Sequence, residues 1–234
     1  MKRMRDVPVA LLVGLCATLA VPVNTQATIQ FNYGPCNPSD GCDQSVNFTP
    51  ANSGTTVTGD TNPPKPLYDV YIDSLEGLTL HGSGSTVDTG NPGPGFTSIL
   101  IRPEAGYAWG AIEFQLDSMN NNQPNGTGGL LFTVKDNLNS FTTFSANFPW
   151  EGNKGENQHY HFHAIDGESI LSLQIDYTDP LGNGNTINDI HNIDVNTVPE
   201  PTTLSLMGIS LLAGCRCSSA RSKRNKRATK NKRV

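Results

Sequence analysis

Residues 28–198 are predicted to form an all-β domain, an antiparallel β-sandwich of jelly-roll type. Apolar and polar residues alternate over short runs, clusters of Gly, Pro, Asn and Asp separate those runs, and no stretch has helical periodicity. Composition agrees: 23 Gly and 16 Pro in 234 residues, with 16% charged side chains, do not suit a helical bundle, whose exposed faces want Glu, Lys and Ala.

In chain order the candidate strands are Thr28–Tyr33, Thr55–Thr58, Tyr68–Ile72, Gly77–His81, Thr97–Arg102, Gly110–Leu116, Leu130–Lys135, Phe141–Ala146, His159–Ile165, Ile170–Tyr177 and Ile190–Val195. The clearest is SILSLQIDY, which places Leu171, Leu173, Ile175 and Tyr177 on one face and Ser172, Gln174 and Asp176 on the other. In GAIEFQL the same alternation buries Ile112, Phe114 and Leu116 and turns Glu113 and Gln115 outward. With no helices to serve as parallel crossovers, the strands should pair antiparallel. A β-helix would need a regular short repeat, and none is visible. The Gly/Pro/Asn-rich segments 59–66, 82–95, 118–129 and 179–188 are expected as loops.

Charge divides the chain into three parts. Residues 28–198 carry 19 acids and four basic groups, a net charge near −15, while residues 216–234 carry nine basic groups and no acid. So acidic a body is repelled by phosphate backbones, which argues against nucleic acid as a partner.

The N-terminus, residues 1–27, has the order of a secretory signal. Lys2, Arg3 and Arg5 precede an apolar stretch from Val7 to Val23, and Thr25 and Ala27 supply small residues for cleavage after Ala27. The alternative is a retained anchor, for which the apolar core is short.

The C-terminus, residues 199–234, mirrors this design. Pro199-Glu200-Pro201 is followed by the apolar run Thr202 to Gly214, then Cys215-Arg216-Cys217 and a basic block from Arg221 to Arg233. A helix over the apolar run would span about 20 Å of a roughly 30 Å hydrocarbon layer, a marginal anchor whose basic end stays on the cytoplasmic face. The two prolines hold their segment extended, in the form a protease binds.

This order resembles the PEP-CTERM sorting tail of bacterial surface proteins, and the resemblance covers residues 198–234. It implies export, a transient membrane anchor, and processing by the membrane-embedded exosortase with Pro199, Glu200 and Pro201 as the signal. The tail differs from the family pattern in the Cys215/Cys217 pair and in its longer basic block. A simple tail anchor, with the prolines ending the last strand, is the alternative.

Of the five cysteines, only Cys36 and Cys42 lie between the two ends. In an exported chain such a pair is expected to form a disulfide, closing a small loop worth about 2 kcal/mol in loop-closure entropy. His159, His161 and His163 alternate along one strand, so all three share a face. They are either candidate zinc or copper ligands or the wet face of a strand whose Tyr160 and Phe162 point to the core. Asp176, Asp179, Asn183, Asn185 and Asp189 offer oxygen ligands for calcium, although the spacing is not that of an EF-hand and ordinary turns use the same residues. No cofactor is expected, with calcium at this segment as the alternative.

Catalytic signatures are missing: there is no G-x-S-x-G, H-E-x-x-H or P-loop, and HGSGS at 81–85 reads as a turn. The expected function is therefore that of a non-catalytic surface or extracellular-matrix protein associated with exopolysaccharide, reaching the outside through the export machinery and exosortase. One alternative is a carbohydrate-binding module, with Trp109 and Trp150 stacking on sugar rings. A second is a secreted hydrolase using paired carboxylates.

Overall fold

The structure is a computed structural model and describes residues 28–37, 39–50, 52–62, 67–90, 93–118, 127–149, 158–178 and 186–199. They form fourteen strands: β1 Ile29–Tyr33, β2 Gln44–Phe48, β3 Ser53–Gly54, β4 Thr56–Thr61, β5 Asp69–Ser74, β6 Leu80–Ser83, β7 Thr86–Asp88, β8 Ser98–Pro103, β9 Tyr107–Ser118, β10 Thr127–Asp136, β11 Phe141–Pro149, β12 Gln158–Ala164, β13 Ile170–Thr178 and β14 Ile187–Pro199. The described fold is all-β and antiparallel, as the alternation predicted.

Closure differs from the predicted jelly-roll sandwich. Strands β9, β13, β8, β5, β4, β2 and β14 follow one another around a closed barrel, completed where β14 pairs with β9. Long strands make this possible. One edge of β9 runs along β14, while its other edge is shared by β12, opposite Ala111–Leu116, and by β13 at the register pair Trp109–Ile170. β14 shifts register against β9 between Ile187 and Asp189, between His191 and Asp194, and between Asn196 and Thr197. Such irregularities bend and twist a strand, which is what closing a sheet requires. Alternation in a sequence reports which face is buried but not whether the sheet closes.

Two wings extend from the barrel. β1 and β12 continue the sheet from β9, and the β10–β11 hairpin continues it from β13. Their inner faces meet through aromatic rings. Phe31 on β1 lies 5.5 Å from Phe132 on β10 and 5.7 Å from Phe144 on β11, and Phe162 on β12 lies 5.1 Å from Phe132. Phe114 and Tyr160 complete this layer.

The core carries the predicted faces, with two corrections. Leu173, Ile175 and Tyr177 are buried, but Leu171 is not among them. A register shift opposite Lys135 and Asp136 puts Ile170 into the core in its place. Ile112, Phe114 and Leu116 are also buried, yet Glu113 and Gln115 on the opposite face of β9 are each only 7% exposed. That face is covered, and the covering makes the candidate site.

Strands β2, β3 and β7 were not predicted. β2 buries Val46 and Phe48 but begins with Gln44, itself fully buried, and β7 offers the core only Val87 within a segment that reads as loop.

Candidate functional site

The covered face of β9 carries a polar row across three strands. Register sets His159 of β12 opposite Gln115 of β9, which in turn faces His191 of β14. One step along, His161, Glu113 and Asp194 form the next row. Directly opposed residues share a face, so six polar side chains converge where alternation predicted solvent.

They are tightly linked. His159 Nδ1 is 2.6 Å from Glu113 Oε1, and Gln115 Nε2 is 2.7 Å from His159 Nε2. Gln115 Oε1 lies 2.8 Å from His191 Nε2 and accepts from Asn192 Nδ2 at 3.1 Å. His191 Nδ1 is 2.7 Å from Asp189 Oδ1, and Asn188 Nδ2 donates to Asp189 Oδ2 at 2.6 Å. The second Glu113 oxygen accepts from the Cys36 backbone N–H at 2.6 Å. A cleft of about 410 Å³ opens over part of this network, lined by Ser45, Asn47, Glu113, Gln115, His159 and Asp194 among others.

Burial and neighbouring charge shift the titrating groups. Burial raises the Asp194 carboxyl, against a hydrogen bond from Ser45, and the Glu113 charge raises it further. Burial and the charge of Asp189 raise Asp117. His191 is raised, chiefly by its bond to Asp189. His161 is lowered, chiefly by burial.

The loop between β1 and β2 covers one end of the row. Cys36 and Cys42 are joined as a disulfide, with Cα atoms 6.1 Å apart. Asn196 Nδ2 on β14 donates to the Asp40 carbonyl at 2.9 Å, and the Asp40 carboxylate faces His161 at 3.6 Å and His163 at 3.9 Å. Of the three histidines, His159 therefore belongs to the Glu113–Gln115 network, while His161 and His163 sit beneath the disulfide loop. They do not form a wet face, since His161 is 1% exposed. Tyr160 and Phe162 point to the core, as expected.

Two of the predicted calcium ligands lie among the described residues. Asp176 on β13 accepts from Ser98 Oγ at 2.5 Å and from Gln174, whereas Asp189 on β14 engages His191 and Asn188. Asp179, Asn183 and Asn185 lie outside the described residues. Trp109 needs correction as a sugar platform: its indole is fully buried, and its Nε1 donates to the Tyr68 hydroxyl at 3.0 Å. Trp150 lies outside the described residues. The network residues Glu113, Gln115, Asp117, His191 and Asp194 were missed as a site because only strand register brings them together.

Among the tail residues, Pro199 is the last of β14, its backbone opposite Tyr107. Glu200, Pro201, the apolar run and the N-terminal segment lie outside the described residues. No helix among the described residues is long and apolar enough to cross a membrane.

Comparison with known proteins bears on this end of the chain. The PEP-CTERM protein-sorting motif matches residues 197–222, so the chain carries the C-terminal signal of an exported, surface-directed protein. No curated protein matches the sequence.

Proposed function

We propose that this chain, exported and sorted through its PEP-CTERM motif, delivers its β-barrel body to the cell surface or extracellular matrix as a non-catalytic component associated with exopolysaccharide. The match at residues 197–222 carries the reading. The apolar run holds the precursor in the membrane, exosortase acts at Pro199-Glu200-Pro201, and the acidic body is released from its basic end.

The polar cleft supports binding rather than catalysis. Its imidazole, amide and carboxylate groups suit the hydroxyls of a sugar chain. Glu113 and Asp194 are neighbouring carboxylates, the pairing a hydrolase would use. Both oxygens of Glu113 are nonetheless engaged, by His159 and by the Cys36 N–H, and its side chain is buried. It is placed to hold the wall of the cleft together.

Mass spectrometry of the exported protein from its own host tests the sorting step. The expected C-terminus falls at the Pro-Glu-Pro signal, and a chain still ending at Val234 would overturn it. Co-sedimentation with the host's extracellular polysaccharide tests the association, which is refuted if the folded chain stays in the supernatant.

A further inference from the structure

We propose that Cys36, Cys42 and His161, with Asp40 beside them, form a binding site for a zinc-type divalent cation, closed while the two cysteines are joined and opened when the disulfide is reduced. The two sulfur atoms and a ring nitrogen of His161 all lie within 4.8 Å of one another. His161 is 1% exposed, and its Nε2 is buried without a hydrogen-bond partner. A buried imidazole nitrogen ordinarily finds one. A disulfide loop alone gives no reason to aim an imidazole at it.

The nearest oxygen to this nitrogen in an ion pair is Asp40 Oδ2, 3.6 Å away. That is too long for a hydrogen bond. It suits two ligands of one tetrahedral zinc, which lie roughly 3.3–3.8 Å apart when each bond is about 2.0–2.3 Å. Two sulfurs and one imidazole nitrogen make three ligands of the kind zinc takes, and the Asp40 carboxylate beside the same nitrogen is the oxygen placed to swing in as the fourth.

The ligands are held by rigid elements. His161 sits mid-strand on β12, between Asn32 of β1 and Glu113 of β9. The loop bearing the other three is pinned at Cys36 N by Glu113 and at the Asp40 carbonyl by Asn196. His163, its ring stacked 6.1 Å from that of His161, approaches the other Asp40 oxygen.

Opening the site is a thiol–disulfide exchange. A dithiol reductant gives two electrons and two protons to the Cys36–Cys42 bond and leaves as its own cyclic disulfide. Cation binding then displaces the two thiol protons, leaving thiolates on the metal. The ion then ties the loop to His161 on β12, whereas the S–S bond joins two residues of the loop itself.

The test uses the full chain in detergent with Cys16, Cys215 and Cys217 replaced by Ser, so that only the loop cysteines remain. Cobalt(II) serves as the optical probe and zinc as its competitor. After anaerobic reduction by a dithiol and its removal, one equivalent of cobalt should give thiolate-to-metal absorption and tetrahedral visible bands, both abolished by zinc. The oxidised chain should give neither, and His161→Ala should weaken cobalt binding at least about tenfold. Should that variant fail to fold, alkylation of the reduced parent chain decides: zinc should slow modification of Cys36 and Cys42. Equal cobalt uptake in both redox states, absence of the thiolate band, or alkylation rates indifferent to zinc would overturn the proposal.

Discussion

Asp117 on β9 and Asp189 on β14 are direct cross-strand partners, and His191 reaches Asp189 from two residues along β14. Like charges in that position cost about 0.2–1 kcal/mol unless neutralised. His191 supplies the neutralisation, with Nδ1 at 2.7 Å from Asp189 Oδ1 and Nε2 at 2.8 Å from Gln115 Oε1. Both nitrogens face oxygen acceptors, the geometry of an imidazolium.

The first prediction follows from that charge. The folded pKa of His191 is raised above 6.5, first by the bond to Asp189, then by the charges of Asp189 and Asp117 acting against burial. A raised pKa contributes stability that is complete below the unfolded value and lost as pH rises through the folded value. The stability gap between the parent chain and His191→Gln should therefore be widest near pH 5.5 and narrow by pH 9, as read from denaturant melts. A gap that is constant over this range contradicts the assignment.

The aromatic layer joining the wings gives the second prediction. Phe132 is fully buried and lies within about 5–6 Å of Phe31, Tyr160 and Phe162. Its replacement by Ala leaves a cavity that rings on two separate wings cannot collapse to fill. The expected loss is about 3–5 kcal/mol in urea unfolding. A loss under about 1 kcal/mol would mean that the wings do not depend on this contact.

Gly59 on β4 marks a close approach that no larger residue satisfies. A Cβ there would lie 2.7 Å from Val46 Cγ1 and 2.8 Å from Phe48 Cε1, both buried on β2. Gly59→Ala should destabilise by about 1–3 kcal/mol through overpacking. Phe48→Leu should recover part of that loss by vacating the ring edge, and a neutral Gly59→Ala would show that β2 shifts freely.

How far the sequence spoke is clearest on β9. The alternation of Ile112, Phe114 and Leu116 with Glu113 and Gln115 was legible, because period two follows from strand geometry. That both faces are buried was not, since the cover comes from the Cys36 end of the β1–β2 loop and from β2 and β14, remote in sequence. The disulfide partners could be named from compartment and spacing. The placing of His161 beneath them depends on β12 lying beside β9, a long-range pairing that no local pattern encodes. The tail was legible for the opposite reason, being a linear signal that works without a fold.

The barrel and the sorting motif share residues, and this gives the last prediction. Thr197 is the first residue the motif matches, yet its side chain belongs to the barrel. Its Oγ1 lies 2.7 Å from the Tyr68 hydroxyl and within hydrogen-bond reach of Gln44 Oε1. Tyr68 is buried, which pushes its hydroxyl pKa up to about 12, and it also accepts from Trp109. Gln44 is fully buried, and its Nε2 already lacks a partner. Thr197→Val keeps the shape but leaves the Gln44 carbonyl short of a donor, at a cost of about 1–3 kcal/mol. Pro199, Glu200 and Pro201 are untouched, so the exported variant should keep the parent's C-terminal mass while unfolding at lower denaturant. A variant with parental stability would show that the Thr197 contacts add nothing to the barrel, and a changed C-terminus would place Thr197 within the processing signal itself.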